Sequence, residues 1–190
     1  MKGKLIIISA PSGAGKTSII NYLMNSDLNL SFSVSATSRQ PRHVEQHGVD
    51  YYFIEHEEFK HKVHNEEFIE WEEVYEGICY GTLKSEVERL INLKKNVIFD
   101  VDVAGGMNIK NMYGNRSLSI FIEPPSIEEL RRRLTNRNTD SAEKIEERIA
   151  KAEYEMTFAK KFDFIVINNN LQEACKEIET IISKFISEND

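Results

Sequence analysis

The sequence predicts an α/β fold in which a parallel sheet is flanked by helices. Three observations carry the prediction. Apolar runs at residues 5–8, 97–99, 118–122 and 164–167 are short and almost unbroken, as in strands covered on both faces. Segments with apolar residues at helical spacing lie between them, so strands alternate with helices. The first run also leads through a glycine-rich loop straight into a helix start.

In chain order, Leu5, Ile6, Ile7 and Ile8 form the first strand. Gly13 and Gly15 then supply a turn that tolerates positive φ and lets backbone N–H groups line a concavity. Lys16 and Thr17 open a helix that carries Ile19, Ile20 and Leu23. The stretch Ala10, Pro11, Ser12, Gly13, Ala14, Gly15, Lys16, Thr17 is a P-loop, and the fold around it is a P-loop NTPase core. In such a loop the N–H groups and the helix dipole hold the phosphates of a nucleoside triphosphate. Lys16 reaches the β- and γ-phosphates, and the Thr17 hydroxyl can ligate Mg²⁺. The motif usually opens on glycine; Ala10 stands there instead, the smallest tolerable replacement.

Residues 31–39 are partly alternating and β-prone, and after Pro41 the segment 46–50 reads as a turn before a strand at 51–54. Phe59 and Val63, four apart, predict a short amphipathic helix over 55–64. Residues 68–80 read as further strand, interrupted at Gly77 and again at Gly81, with a helix over 85–93 beyond. A strand at 97–102 ends in the carboxylates Asp100 and Asp102, and another at 118–122 is stopped by Pro124 and Pro125. Ser126 and Glu129 have capping-box spacing for a helix carrying Arg131 to Arg137. Asp140 and Glu143 repeat that logic for a longer helix through about Lys160. A strand at 164–167 and a helix at 171–186 close the chain. The antiparallel-looking stretch from about 33 to 82 interrupts the alternation and reads as an inserted lobe.

The 190 residues suit one domain, and a net charge of −7 argues against general nucleic-acid binding, which wants a basic face. No run reaches the ~20 apolar residues of a membrane span, and Cys79 and Cys175 match no metal or redox spacing. The expectation is a cytoplasmic protein with two reduced thiols, free of membrane and nucleic-acid partners. His61 and His64 share a helix face, but no third ligand accompanies them, so a surface helix is the plainer account.

Ligands of open α/β sheets bind beyond the carboxyl ends of strands, so Asp100 and Asp102 should face the P-loop, where either can hold Mg²⁺ through water. Arg39 and Arg42 flank Pro41 on a rigid turn, an arrangement suited to a second phosphate-bearing substrate. Arg133 and Arg137 share one helix face and Arg148 lies on the next helix, as groups that close over a transferring phosphoryl would. For Arg131 and Arg132 ordinary salt bridges with nearby glutamates are the better reading. Glu70 stands out from the acidic run 66–76 because Ile69 and Trp71 flank it.

Taken together, the chain resembles a guanylate kinase over essentially its whole length. The resemblance rests on residues 10–17, 35–42 (SATSRQPR), 48–51 (GVDY), 67–71 (EFIEW), 80–82 (YGT), 100–102 (DVD), 121–126 (FIEPPS), 133–137 (RLTNR) and 166–168 (VIN). It implies transfer of the γ-phosphoryl of ATP to GMP with Mg²⁺, on a P-loop core (about 1–32, 83–125 and 161–190) with a GMP-binding lobe (about 33–82) and a helical lid (about 126–160). Carried over by motif, Ser35, Arg39, Arg42, Tyr51 and Tyr80 would hold the GMP phosphate, and Glu70 and Thr82 the guanine. Asp102 would lie near GMP and Asp100 near the metal, shared with Thr17. The catalytic groups would be Lys16 and the lid arginines Arg133, Arg137 and Arg148, with Asn168 near the adenine. Ile78 and Cys79 depart from the polar-aromatic pair usual before Tyr80, and Asn169 and Asn170 from the acidic residues common after Asn168. Protein-binding modules of similar sequence typically have a degraded P-loop; Gly13, Gly15, Lys16 and Thr17 are intact here. Glu70 and Thr82 argue against a kinase for another monophosphate.

Overall fold

The computed structural model describes residues 3–136 and 141–188. Its first sheet has five parallel strands in the order β2–β7–β1–β8–β9, formed by Leu30–Phe32, Asn96–Asp100, Leu5–Ser9, Ser117–Glu123 and Phe164–Ile167. β1 is central, and Leu5 to Ile8 have no exposed surface. The pleat sends alternate residues to opposite faces. Ile6 and Ile8 meet α1 (Lys16–Met24) and α7 (Leu171–Ser187), where they pack with Ile19, Leu23, Ile178 and Ile182. Leu5 and Ile7 meet α3 (Lys84–Asn92) and α4 (Val103–Tyr113) through Val87, Leu90 and Ile109. A strand covered on both sides cannot alternate, which is why the runs look continuous in sequence.

Residues 33–83 hold a second, four-stranded sheet in the order β4–β3–β6–β5: Tyr52–Phe53, Ala36–Thr37, Ile78–Leu83 and Phe68–Tyr75. β5–β6 and β3–β6 are antiparallel, but β3 and β4 are parallel, so the stretch is not wholly antiparallel. α2 (His56–His64) covers it, stacking Phe59 on Phe68 with ring centroids 4.4 Å apart. α5 (Ile127–Asn136) and α6 (Ala142–Met156) pair through Leu130, Leu134, Ile145 and Ile149.

Three expectations need correction. Gly77 ends β5, but β6 runs through Gly81 without interruption. A Cβ at Gly81 would lie 2.8 Å from the Glu70 carbonyl oxygen and from Phe68, and 2.9 Å from the Trp71 Cβ. Glycine is there for close approach, not to break the strand. Gly81→Ala should therefore lower stability by about 2 kcal/mol and the calorimetric Tm by about 4–8 °C; an unchanged Tm would show that the two strands can separate freely.

Asp102 lies outside the strand. β7 ends at Asp100, and Asp102 is the N-cap of α4, its Oδ1 accepting from the Gly105 N–H at 2.7 Å. The helix α4 itself was not among the expected elements, and Gly105 and Gly106 within it lower helix propensity. Their lack of side chains is a packing requirement: a Cβ on Gly106 would sit 3.3 Å from Ile7 and Phe162. Finally, α6 stops at Met156, short of Lys160, with a separate 3₁₀ turn at Ala159–Lys161. Its N-cap is Ser141, whose Oγ accepts from the Lys144 N–H; Asp140, expected to start it, lies outside the described residues.

Candidate active site

The P-loop joins β1 to α1. Ala14 N–H donates to the Pro11 carbonyl at 3.0 Å, tightening the turn. Gly13 and Gly15 have φ of 94° and 98°, conformations that a side chain strains. Space forbids a side chain too, since a Cβ on Gly13 would lie 2.9 Å from Leu130 and one on Gly15 2.3 Å from the Asn168 Nδ2. Ala10 is not among the described residues with positive φ, so glycine is not needed there. α1 starts with no side-chain cap and no acidic residue in its first turn. Its first N–H groups and positive dipole end are left for an anion.

The register that pairs Ile8 with Asp100 sets Asp100 beside the loop. There its carboxylate forms an ion pair with the Lys16 ammonium, which also points at the Val101 carbonyl at 3.4 Å. These groups line a cleft of about 380 Å³ with Ser12, Thr17, Asp102 and Arg148; the Arg148 Nη1 donates to the Ser12 Oγ at 3.1 Å. Two residues not foreseen complete it, Lys151 and Glu155. Their signal was the spacing 148, 151, 155, which puts all three on one face of α6. Glu155 is buried, and that burial, only partly offset by Lys151, holds its carboxyl above the ordinary range.

A second cleft, of about 180 Å³, lies on the other side of Asp100 and Asp102. Ser35, Tyr51, Glu70, Glu72, Tyr80 and Gly81 form the rest of its wall. Glu70 faces Thr82 across β5 and β6, and the Thr82 hydroxyl donates to its Oε1 at 2.5 Å. Burial raises the Glu70 carboxyl above the usual value, against the pull of Thr82 and helped by the Asp102 charge. Gly105 matters here as well. A Cβ there would sit 3.2 Å from the Asp102 Oδ1 and 3.3 Å from the Glu70 Oε2, so the bare start of α4 lets both carboxylates approach.

Arg39 reaches this cleft through its neighbours. Its guanidinium stacks over Tyr51 at 5.0 Å and Phe53 at 5.5 Å, and its Nε donates to the Tyr80 hydroxyl at 3.0 Å. Nη1 and Nη2 fork onto Glu45 at 2.6 and 2.7 Å, and Nη1 also donates to the Gln40 carbonyl at 3.0 Å. That pairing holds the Glu45 carboxyl at about 2, and Glu45 also accepts from the Arg42 N–H at 2.8 Å. Nothing in the sequence singled out Glu45, which presents the guanidinium in the geometry a phosphate would use. Arg42 is exposed on the turn.

A third cleft, of about 500 Å³, opens on the far side of the P-loop, lined by Glu129, Arg132, Arg133, Asn136, Asn168 and Asn169 with Gly13, Gly15, Ser18 and Leu171. Arg133 sits here, away from Arg148, donating to Glu129 at 2.9 Å and to the Asn168 carbonyl at 2.9 Å. Arg131 and Arg132 are paired with Glu146 and Glu129, as expected of them. Arg137, expected to act with Arg133, lies outside the described residues.

The guanylate kinase family model matches residues 2–185. The chain belongs to the guanylate kinase family. Two curated relatives make the family likeness close. The guanylate kinase of Bacteroides thetaiotaomicron is 58% identical over 187 residues, covering 98% of this chain and 92% of the relative. That of Porphyromonas gingivalis is 55% identical over 185 residues, covering 97% and 98%. Among solved structures, the guanylate kinase of Anaplasma phagocytophilum superposes with a TM-score of 0.75 at 29% identity, covering 99% of this chain and 88% of that one. Family membership agrees with both sheets and with the position of the P-loop.

Proposed function

We infer that this chain transfers the γ-phosphoryl group of ATP to GMP, giving ADP and GDP. The observation that carries the inference is that the P-loop cleft and the Glu70 cleft meet at Asp100 and Asp102. One holds a triphosphate by backbone N–H groups and cations; the other offers a carboxylate to a base. Guanine presents N1–H and an exocyclic amino group, both of which Glu70 can accept, whereas adenine has an acceptor at N1 and no such amino group. A pocket built on donors it must satisfy rejects the wrong base on the order of 10⁴-fold.

In this reading Lys16, the loop N–H groups and Arg148 neutralise the phosphates, while Ser35, Arg39, Arg42, Tyr51 and Tyr80 hold the acceptor phosphate in line. Glu45 is the place-holder that the GMP phosphate displaces from Arg39. Residues 33–82 act as the acceptor lobe and 126–160 as the lid, whose closure brings Arg133 toward the transferring group and excludes water. No protein nucleophile is required.

The residues present suit Mg²⁺. Thr17 and Asp100 give the first cleft two hard oxygen donors, and no cluster of three or more His, Cys, Asp or Glu among the described residues could hold a metal by itself. That donor set matches an ion delivered on the triphosphate rather than one caged by protein. When bound, such an ion offsets negative charge on the β- and γ-phosphates. Action in the cytoplasm belongs to the same reading and is supported by Cys79 and Cys175, both free and buried. No helix among the described residues is long and apolar enough to cross a membrane.

The deciding experiment is a coupled ADP-release assay on four monophosphates. GMP should be phosphorylated in an ATP- and Mg²⁺-dependent way, with AMP, CMP and UMP poor substrates. Robust turnover of AMP without GMP would overturn the assignment.

A further inference from the structure

Asn168, expected near the adenine, has its side chain turned onto the P-loop. The residue is 3% exposed, and its Nδ2 donates to the Ala14 carbonyl at 2.7 Å. Only the nitrogen of the amide can donate to a carbonyl, so the orientation of the group is settled by its partner. Its backbone N–H donates to the Glu123 carbonyl at 2.8 Å, tying it to the end of β8. Its own carbonyl accepts from Arg133 of α5. The nearest approach to the loop is so close that a Cβ on Gly15 would lie 2.3 Å from Nδ2.

We propose that Asn168 is a positioning residue that fixes the Ala14–Gly15 peptide and so aims the loop N–H groups at the phosphates. In a trans peptide the C=O and N–H point in opposite directions. Anchoring the Ala14 oxygen on the Asn168 side turns the Gly15 N–H toward the opposite side, where the first cleft lies. Asn168 lines the third cleft and not the first, so it performs this task from behind the loop. The same residue links the loop to the resting position of Arg133, joining P-loop and α5 through one side chain and one carbonyl. This rests on the reading of the first cleft as the triphosphate site.

Asn168→Asp tests it, because the shape is kept while the donor becomes an acceptor facing the Ala14 oxygen. The KM for ATP should rise about tenfold or more, the loss expected when one buried hydrogen bond is replaced by repulsion, while the KM for GMP stays within about twofold. Mg²⁺-tripolyphosphate, which has no base, should compete against ATP with its affinity reduced by a similar factor. Amide exchange at Ala14, whose N–H is paired with the Pro11 carbonyl in the ligand-free protein, should accelerate about tenfold while β8 amides stay protected. Asn168→Ala, which adds no charge, should give the same pattern with smaller changes and covers the case in which the Asp variant fails to fold. The proposal is overturned if loop exchange is unchanged, or if ATP weakens while tripolyphosphate does not, the result expected of a base reader. The exchange measurement needs no GMP turnover, so it stands apart from the substrate assignment.

Discussion

Replacement of Lys16 by alanine is expected to lower kcat by about 10³-fold, the scale of losing one preorganised charged donor to a transition state. The ammonium stands at the mouth of α1, paired with Asp100 and directed at the Val101 carbonyl. A triphosphate in the cleft takes over that charge, so the lysine is delivered by the protein already oriented. Removing it also leaves Asp100 as an unneutralised carboxylate facing incoming phosphate. The coupled assay reads the rate, and circular dichroism checks that the variant is folded. Turnover within tenfold of the parent enzyme would remove Lys16 from the phosphate site.

Glu70→Gln is expected to lower kcat/KM for GMP on the order of 10³-fold, through loss of two charge-assisted acceptor bonds and the turning of an amide donor toward the guanine N1–H. The effect should be much smaller for ATP binding. Burial and the Asp102 charge raise the Glu70 carboxyl, which sets the sign of two further effects. A carboxyl with a raised folded-state pKa is disfavoured as an anion in the fold, so its ionised form opposes folding at neutral pH. That cost disappears as pH falls. The glutamine variant should therefore unfold at the same temperature as the parent or higher, even as it loses activity. Acidification protonates Glu70 above the ordinary carboxylate range, so the KM for GMP should climb on the acid side in the parent and stay flat in the variant. A destabilised variant that keeps its GMP selectivity would show Glu70 to be structural.

The central sheet was legible because burial on both faces leaves a local trace, the unbroken apolar runs at 5–8 and 164–167. The P-loop was legible for a related reason, since each of its residues answers to backbone geometry within eight positions. What escaped the reading depends on partners distant in sequence. Gly81 looks like a strand breaker until Glu70 and Phe68 are found against it, and the helix holding Gly105 and Gly106 gains its reason only from Asp102 and Glu70 beside the first and Ile7 and Phe162 beside the second. Lys151 and Glu155 could be placed on the face of Arg148, but only the packing of α6 over the P-loop gives that face a meaning. Glu45 belongs to the site through Arg39 alone.

Asp100 and Asp102 line both the P-loop cleft and the Glu70 cleft, so the two compartments have a common wall. Any ligand that changes the charge felt by these carboxylates on one side is felt on the other. Thermodynamic linkage then requires that whatever factor the donor nucleotide imposes on acceptor affinity, the acceptor returns to the donor. In the proposed reading, any coupling between the two substrates is therefore shared equally by both clefts, with Asp100 and Asp102 as the side chains common to them.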